Sequence, residues 1–107
     1  MKKIVGGKVY DTANSKILCN ISPITYRDVG RSDFRWDKTY LYRTKNGRFF
    51  IAGEGGPLSQ WGTGDGNYGY NSGSGLKPIQ ELEARRLTEE FGDTETYISV
   101  FGEPEAA

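Results

Sequence analysis

Thr39-Tyr-Leu-Tyr-Arg-Thr-Lys-Asn-Gly-Arg-Phe-Phe-Ile-Ala52 is the stretch that decides the fold. Two runs rich in aromatic and β-branched residues flank Asn46-Gly47, and Asn-Gly accepts the positive φ angles of a two-residue type I′ turn. The stretch predicts a β-hairpin whose register follows from that turn, with Thr44 opposite Phe49, Arg43 opposite Phe50, Tyr42 opposite Ile51 and Leu41 opposite Ala52. Alternation along the strands then gathers Phe34, Trp36, Tyr40, Tyr42, Phe49 and Ile51 on one face, too much apolar area to leave in water. The other face carries Arg35, Arg43, Lys45 and Arg48, interleaved with Leu41 and Phe50. Lys45 directly opposite Arg48 is a repulsive cross-strand pair, which suits free solvation or an anionic partner.

Upstream, Lys2 to Tyr10 reads as two short strands around Gly6-Gly7, a polar turn follows at 11–15, and Ile17 to Ile21 reads as a third strand. Pro23 ends that strand or marks it as an edge, where a second copy could pair, and 28–33 reads as a surface loop. Downstream, nine of the 23 residues from Gly53 to Gly75 are glycine, which predicts a long irregular loop. Leu58, Trp61, Tyr68 and Tyr70 are too apolar for a plain linker and would pin that loop to the sheet. Gln80 to Phe91 reads as a helix with acidic residues in its first turn, Ala84, Leu87 and Phe91 on its inner stripe, Leu82 off it, and Gly92 as its stop. Thr94 to Phe101 fits a helical turn by spacing and a strand by residue type; the spacing is followed here. The expected fold is therefore α+β: a small antiparallel sheet, built of a meander and the Asn-Gly hairpin, with a C-terminal helix on one face and a glycine-rich loop.

The 107 residues suffice for one domain, and 36% hydrophobic with 26% charged residues describes a globular, soluble chain. No apolar run reaches the roughly 20 residues of a membrane span, and the opening residues lack an export signal, so the expected location is the cytoplasm. Cys19, the single cysteine, cannot form an internal disulfide and reads as a small buried hydrophobe. There is no histidine, which excludes Ser-His-Asp, Cys-His and histidine-ligated zinc chemistry. The formal net charge is zero, yet residues 1–48 carry 11 Lys and Arg against 4 Asp, and residues 49–107 carry 3 against 10 acidic residues. Such a split predicts an electrical dipole or mutual attraction of the two halves.

Gly64-Asp-Gly-Asn-Tyr-Gly69 satisfies G-x-G-x-x-G, but lacks the preceding buried strand and following helix that a dinucleotide site requires. Asp65 and Asn67 have the spacing of calcium ligands without the closing Glu. No metal, cofactor or catalytic residue is expected, apart from one weak alternative: Glu54 beside Arg43 and Arg48 could serve a histidine-free ribonuclease or toxin, or form a strand-end salt bridge. Cations alternating with aromatics can bind phosphates, stack on bases or grip an acidic protein, and they also describe a solvated sheet face. Arg35, Arg43, Lys45, Arg48 and Phe50, with Trp61, Tyr68 and Tyr70 of the adjoining loop, form the candidate partner-binding set. The acidic residues of the C-terminal half could instead imitate nucleic-acid phosphates, although Arg85 and Arg86 interrupt them.

Lys3-Ile-Val-Gly-Gly-Lys-Val-Tyr-Asp-Thr12 and Leu41-Tyr-Arg-Thr-Lys-Asn-Gly-Arg-Phe-Phe-Ile-Ala-Gly-Glu-Gly-Gly-Pro-Leu-Ser59, with a late acidic helix, resemble small orphan proteins of bacteriophages and other mobile elements, anti-CRISPR inhibitors among them. The resemblance implies a non-catalytic inhibitor whose partner is a host Cas effector or its nucleic acid; it assigns a role to no single residue. An RNA- or single-stranded-DNA-binding module is the alternative from another class.

Overall fold

In the computed structural model, which describes residues 1–64 and 69–107, the central hairpin joins β4 (Asp37–Arg43) to β5 (Phe49–Gly55). Its connection is one residue longer than Asn-Gly alone. Thr44 N–H donates to Arg48 C=O at 2.8 Å and Gly47 N–H donates to Thr44 C=O at 3.0 Å, so Lys45, Asn46 and Gly47 form a three-residue loop. The Thr44 hydroxyl accepts the Arg48 N–H at 3.0 Å. Gly47 takes φ of 82°, whereas Asn46 keeps a negative φ, which makes this a type I turn closed by a left-handed glycine. The two-residue turn occurs instead between β1 (Lys2–Val5) and β2 (Lys8–Asp11), where Gly6 and Gly7 both take positive φ.

The extra loop residue overturns the expected register. Arg43 pairs with Phe49, Tyr42 with Phe50, Leu41 with Ile51 and Tyr40 with Ala52. Because side chains alternate, a slip of one residue exchanges Phe49 and Phe50 between the faces. Lys45 lies in the loop and does not oppose Arg48. Phe34, placed by extrapolated alternation on the core face, precedes β4 and is 62% exposed. Trp36 is buried as expected, with the Arg31 guanidinium 4.2 Å above its ring.

The main sheet is antiparallel in the order β3 (Lys16–Asn20), β4, β5, β8 (Gly73–Ile79), and it is covered on both faces. One face packs Leu18, Cys19, Ile21, Leu41 and Phe49 against Ala84, with Leu87, Phe91, Val100 and Phe101 joining from the helices. A bulge between Ile17 and Cys19 lets two consecutive residues, Leu18 and Cys19, enter that core. The opposite face packs Tyr42, Phe50, Ala52 and Leu76 beneath Tyr10 of the N-terminal hairpin. Phe50 stacks on Tyr42 at 4.9 Å and meets Tyr10 edge-on at 5.6 Å. Among the described residues no outward cationic sheet face remains: Leu41, expected on it, packs under the helices, and Phe50 lies beneath the first hairpin.

Much of the stretch expected to be an irregular loop is strand. β5 runs to Gly55, β8 begins at Gly73, and β6 (Thr63–Gly64) pairs with β7 (Tyr70–Asn71). Gly53 opposes Gly75 and Gly55 opposes Gly73. A side chain at Gly75 would overlap the Trp61 ring, whose atoms lie 2.6 Å from the Cβ position. Gly75 thus leaves room for a covering aromatic, which substitutes for the side chain the strand lacks there. Residues 65–68, including Tyr68 and the Asp65/Asn67 pair, lie outside the described residues.

α1 (Glu81–Phe91) buries Ala84 and Thr88, leaves Leu82 exposed, and ends as expected where Gly92 N–H donates to Thr88 C=O at 2.9 Å. α2 (Thr94–Phe101) follows, capped by Asp93, whose carboxylate accepts Thr96 N–H at 2.7 Å. The architecture is α+β, and among the described residues no helix is long and apolar enough to cross a membrane.

Candidate anion-binding site

The first hairpin, laid across the sheet, brings Lys2 and Lys8 beside the turn of the second. There a groove of about 560 Å³ is lined by Lys2, Lys8, Asp11, Asn14, Ser15, Thr44, Lys45, Asn46 and Arg48, with Tyr10 at its floor. A second hollow of about 440 Å³ adds Lys16 and Arg43 and shares Asn14, Ser15, Thr44 and Lys45 with the first. Through those shared residues the two form one trough beside the β4–β5 loop.

Asp11 is the trough's one carboxylate, and its charge is already engaged. It accepts Ala13 N–H and Asn14 Nδ2, both at 3.0 Å, and lies 3.9 Å from Lys2 Nζ. Lys8, Lys16, Arg43, Lys45 and Arg48 have no carboxylate partner among the described residues. Five uncompensated cations around two hollows make a positive potential that attracts anions. Arg43 is half-buried, paired across the sheet with Lys16 and Phe49, and its Nε is covered without a hydrogen-bond partner among the described residues. Ser15 donates to Asp11 C=O at 2.7 Å, and Thr44 Oγ1 accepts the Arg48 N–H of the turn. The trough can therefore hold an anion, but it presents no poised nucleophile and base.

Of the residues expected to bind a partner, Arg43, Lys45 and Arg48 meet here. Phe50 does not, being wholly buried beneath Tyr10. Arg35 lies beyond the far end of β4, hydrogen-bonded to Asp33 and set 4.9 Å over the Tyr26 ring. The Arg35 main-chain N–H, with its guanidinium, holds the Asp33 carboxyl below its usual range, and Asp33 raises Arg35 in turn. Trp61 fastens its own loop: its indole N–H donates to Thr39 Oγ1 at 2.7 Å. Tyr70 is exposed in β7, away from the trough.

Glu54 is not beside Arg43 or Arg48. It pairs across the sheet with Lys38 and Ser74 and forms an ion pair with Arg31 at 3.0 Å, at the opposite end of β5. The constellation for a ribonuclease is thereby dispersed. A buried carboxylate, Asp37, accepts from Thr39 Oγ1 and from Gln60 Nε2, and Gln60 also reaches Thr39 Oγ1 at 3.1 Å. With Trp61 bound as well, the Thr39 hydroxyl has one donation and two acceptances and no capacity left, so the cluster is a fastening. Burial, with Asp93 nearby, pushes the Cys19 thiol up to about 11, which keeps it protonated and inert near neutral pH.

Lys2, Lys8 and Lys16 were missed by strand-by-strand reading. Their only signal was the excess of positive charge in residues 1–48. Comparison with protein-family models, curated proteins and solved structures returned no match.

Proposed function

We propose that this chain is a non-catalytic inhibitor of the kind carried by phages and other mobile elements, which docks through its cationic end on a host defence complex. A Cas nuclease effector in the bacterial cytoplasm is the partner class that the sequence resemblance implies. The observation that supports docking at this end is the trough with five cations lacking carboxylate partners among the described residues. The lack of histidine favours binding over catalysis. The β3 edge, where a second copy could pair, is bulged and followed by Pro23, which makes it a poor template for such pairing.

Copurification of the tagged protein with a panel of Cas effectors, followed by a DNA-cleavage assay, tests the reading. Binding with inhibition is expected, and the double variant Lys45→Glu/Arg48→Glu should lose both. An intact protein that binds no effector and leaves cleavage unaffected would remove the proposal.

A further inference from the structure

We infer that the trough takes the sugar-phosphate backbone of a single nucleic-acid strand, without regard to base sequence. The inference rests on the docking reading above for its choice of site and adds the chemistry of the ligand.

Three observations converge on that ligand. The cations come from separate elements: Lys8 from β2, Lys16 from β3, Arg43 from β4, and Lys45 and Arg48 from the turn. They line two hollows that meet at Lys45, a row of positive charges suited to a repeating anion rather than to one carboxylate. Aromatic surface is withheld from the trough, since Tyr10 is 7% exposed and Phe50 is buried. Base stacking, the usual source of affinity for the bases themselves, is therefore not offered there.

The path runs from Arg48, which lines the first hollow only, through Lys45, which lines both, to Arg43 and Lys16, which line the second only. A single strand is flexible enough to pass from one hollow into the next, whereas a duplex is stiff over roughly 150 base pairs. On the other side of Arg48 a third hollow is lined by Glu81 and Glu83 of α1. Those carboxylates repel phosphate and direct the strand away from the helix.

The test uses fluorescence anisotropy with a labelled oligothymidylate of roughly 20 nucleotides, longer than the site of a small binding fold. With five phosphates neutralised the logarithmic salt slope should be about −3.5, so affinity should fall about a hundredfold between about 50 mM and about 200 mM salt. Lys8→Glu and Lys45→Glu/Arg48→Glu should each weaken binding and flatten the slope, by about 0.7 for every phosphate left without its cation. Lys77→Glu, on β8 outside the trough, should leave affinity within about twofold, and circular dichroism establishes that each variant is folded. Mixed-sequence strands should bind as the oligothymidylate does, and a duplex more weakly.

No binding at the lower salt, binding indifferent to the trough variants, or strong preference for particular bases would overturn the inference. If the oligonucleotide fails while a Cas effector is still captured through Lys45 and Arg48, the trough takes protein carboxylates: the inference falls and the docking reading survives. If the oligonucleotide binds as stated and no effector is captured or inhibited, the inference stands and the inhibitor reading falls.

Discussion

Thr39 shows how much one buried hydroxyl can organise. Its side chain donates to Asp37 and accepts from Trp61 and Gln60, while its N–H donates to Ser22 Oγ at 2.8 Å. Thr39→Val keeps the volume and removes the hub, leaving a carboxylate oxygen and an indole N–H without that partner. Equilibrium urea unfolding should register a loss of about 3 kcal/mol, since each buried polar atom left unpaired costs about 1–3 kcal/mol. A loss below about 0.5 kcal/mol would mean that the Trp61 loop is held by other means. None of this was legible in the sequence, where Thr39 is simply a β-branched residue entering a strand.

At the scale of elements, the turn and the second helix carry separate tests. Only Gly47 of the Lys45-Asn46-Gly47 loop takes positive φ. Gly47→Ala should therefore cost roughly 1–2 kcal/mol, the penalty of a left-handed alanine, while Asn46→Ala should be nearly neutral. Equal losses at both positions, measured by thermal unfolding, would restore the two-residue turn. Hydrogen bonding from the Thr96 main-chain N–H lowers the pKa of Asp93, the cap of α2. A carboxyl whose folded pKa lies below its unfolded value of about 3.9 stabilises the fold above that value, and the gain disappears as pH falls through the folded one. Asp93→Asn retains a capping oxygen without the titration, so it should flatten the acid limb of the stability profile as pH falls below the unfolded value. An unchanged acid limb would assign that limb to other carboxyls.

For the molecule as a whole, Tyr10 is the joint between the first hairpin and the sheet. It is 7% exposed, packed on Phe50, and it forms the floor of the cationic groove. Tyr10→Ala should cost about 3–5 kcal/mol, as truncation of a buried aromatic does, and should expose Phe50 to solvent. Denaturant unfolding together with a hydrophobic dye would detect both effects. A loss below about 1 kcal/mol would mean that the hairpin is attached by other interactions, such as Lys3 Nζ to Leu76 C=O at 3.4 Å. The segregation of charge along the chain becomes spatial at this scale, because the hairpin delivers Lys2 and Lys8 to Lys45 and Arg48.

The sequence by itself determined the local elements: two glycines for the first turn, aromatic and β-branched runs for the second hairpin, acidic residues and Gly92 to bound the first helix. Each rests on interactions between residues near one another in the chain, and their conformational preferences are written in residue type. What only the tertiary structure decided was the register of β4 on β5 and the side on which the first hairpin docks. One residue more in a turn exchanges Phe49 and Phe50 between the faces, and the conformation of Asn46 is not fixed by its identity. The candidate site depended on that outcome, since Lys2 and Lys8 reach Lys45 and Arg48 only when Tyr10 closes over Phe50, while Lys16 comes to Arg43 through the pairing of β3 with β4.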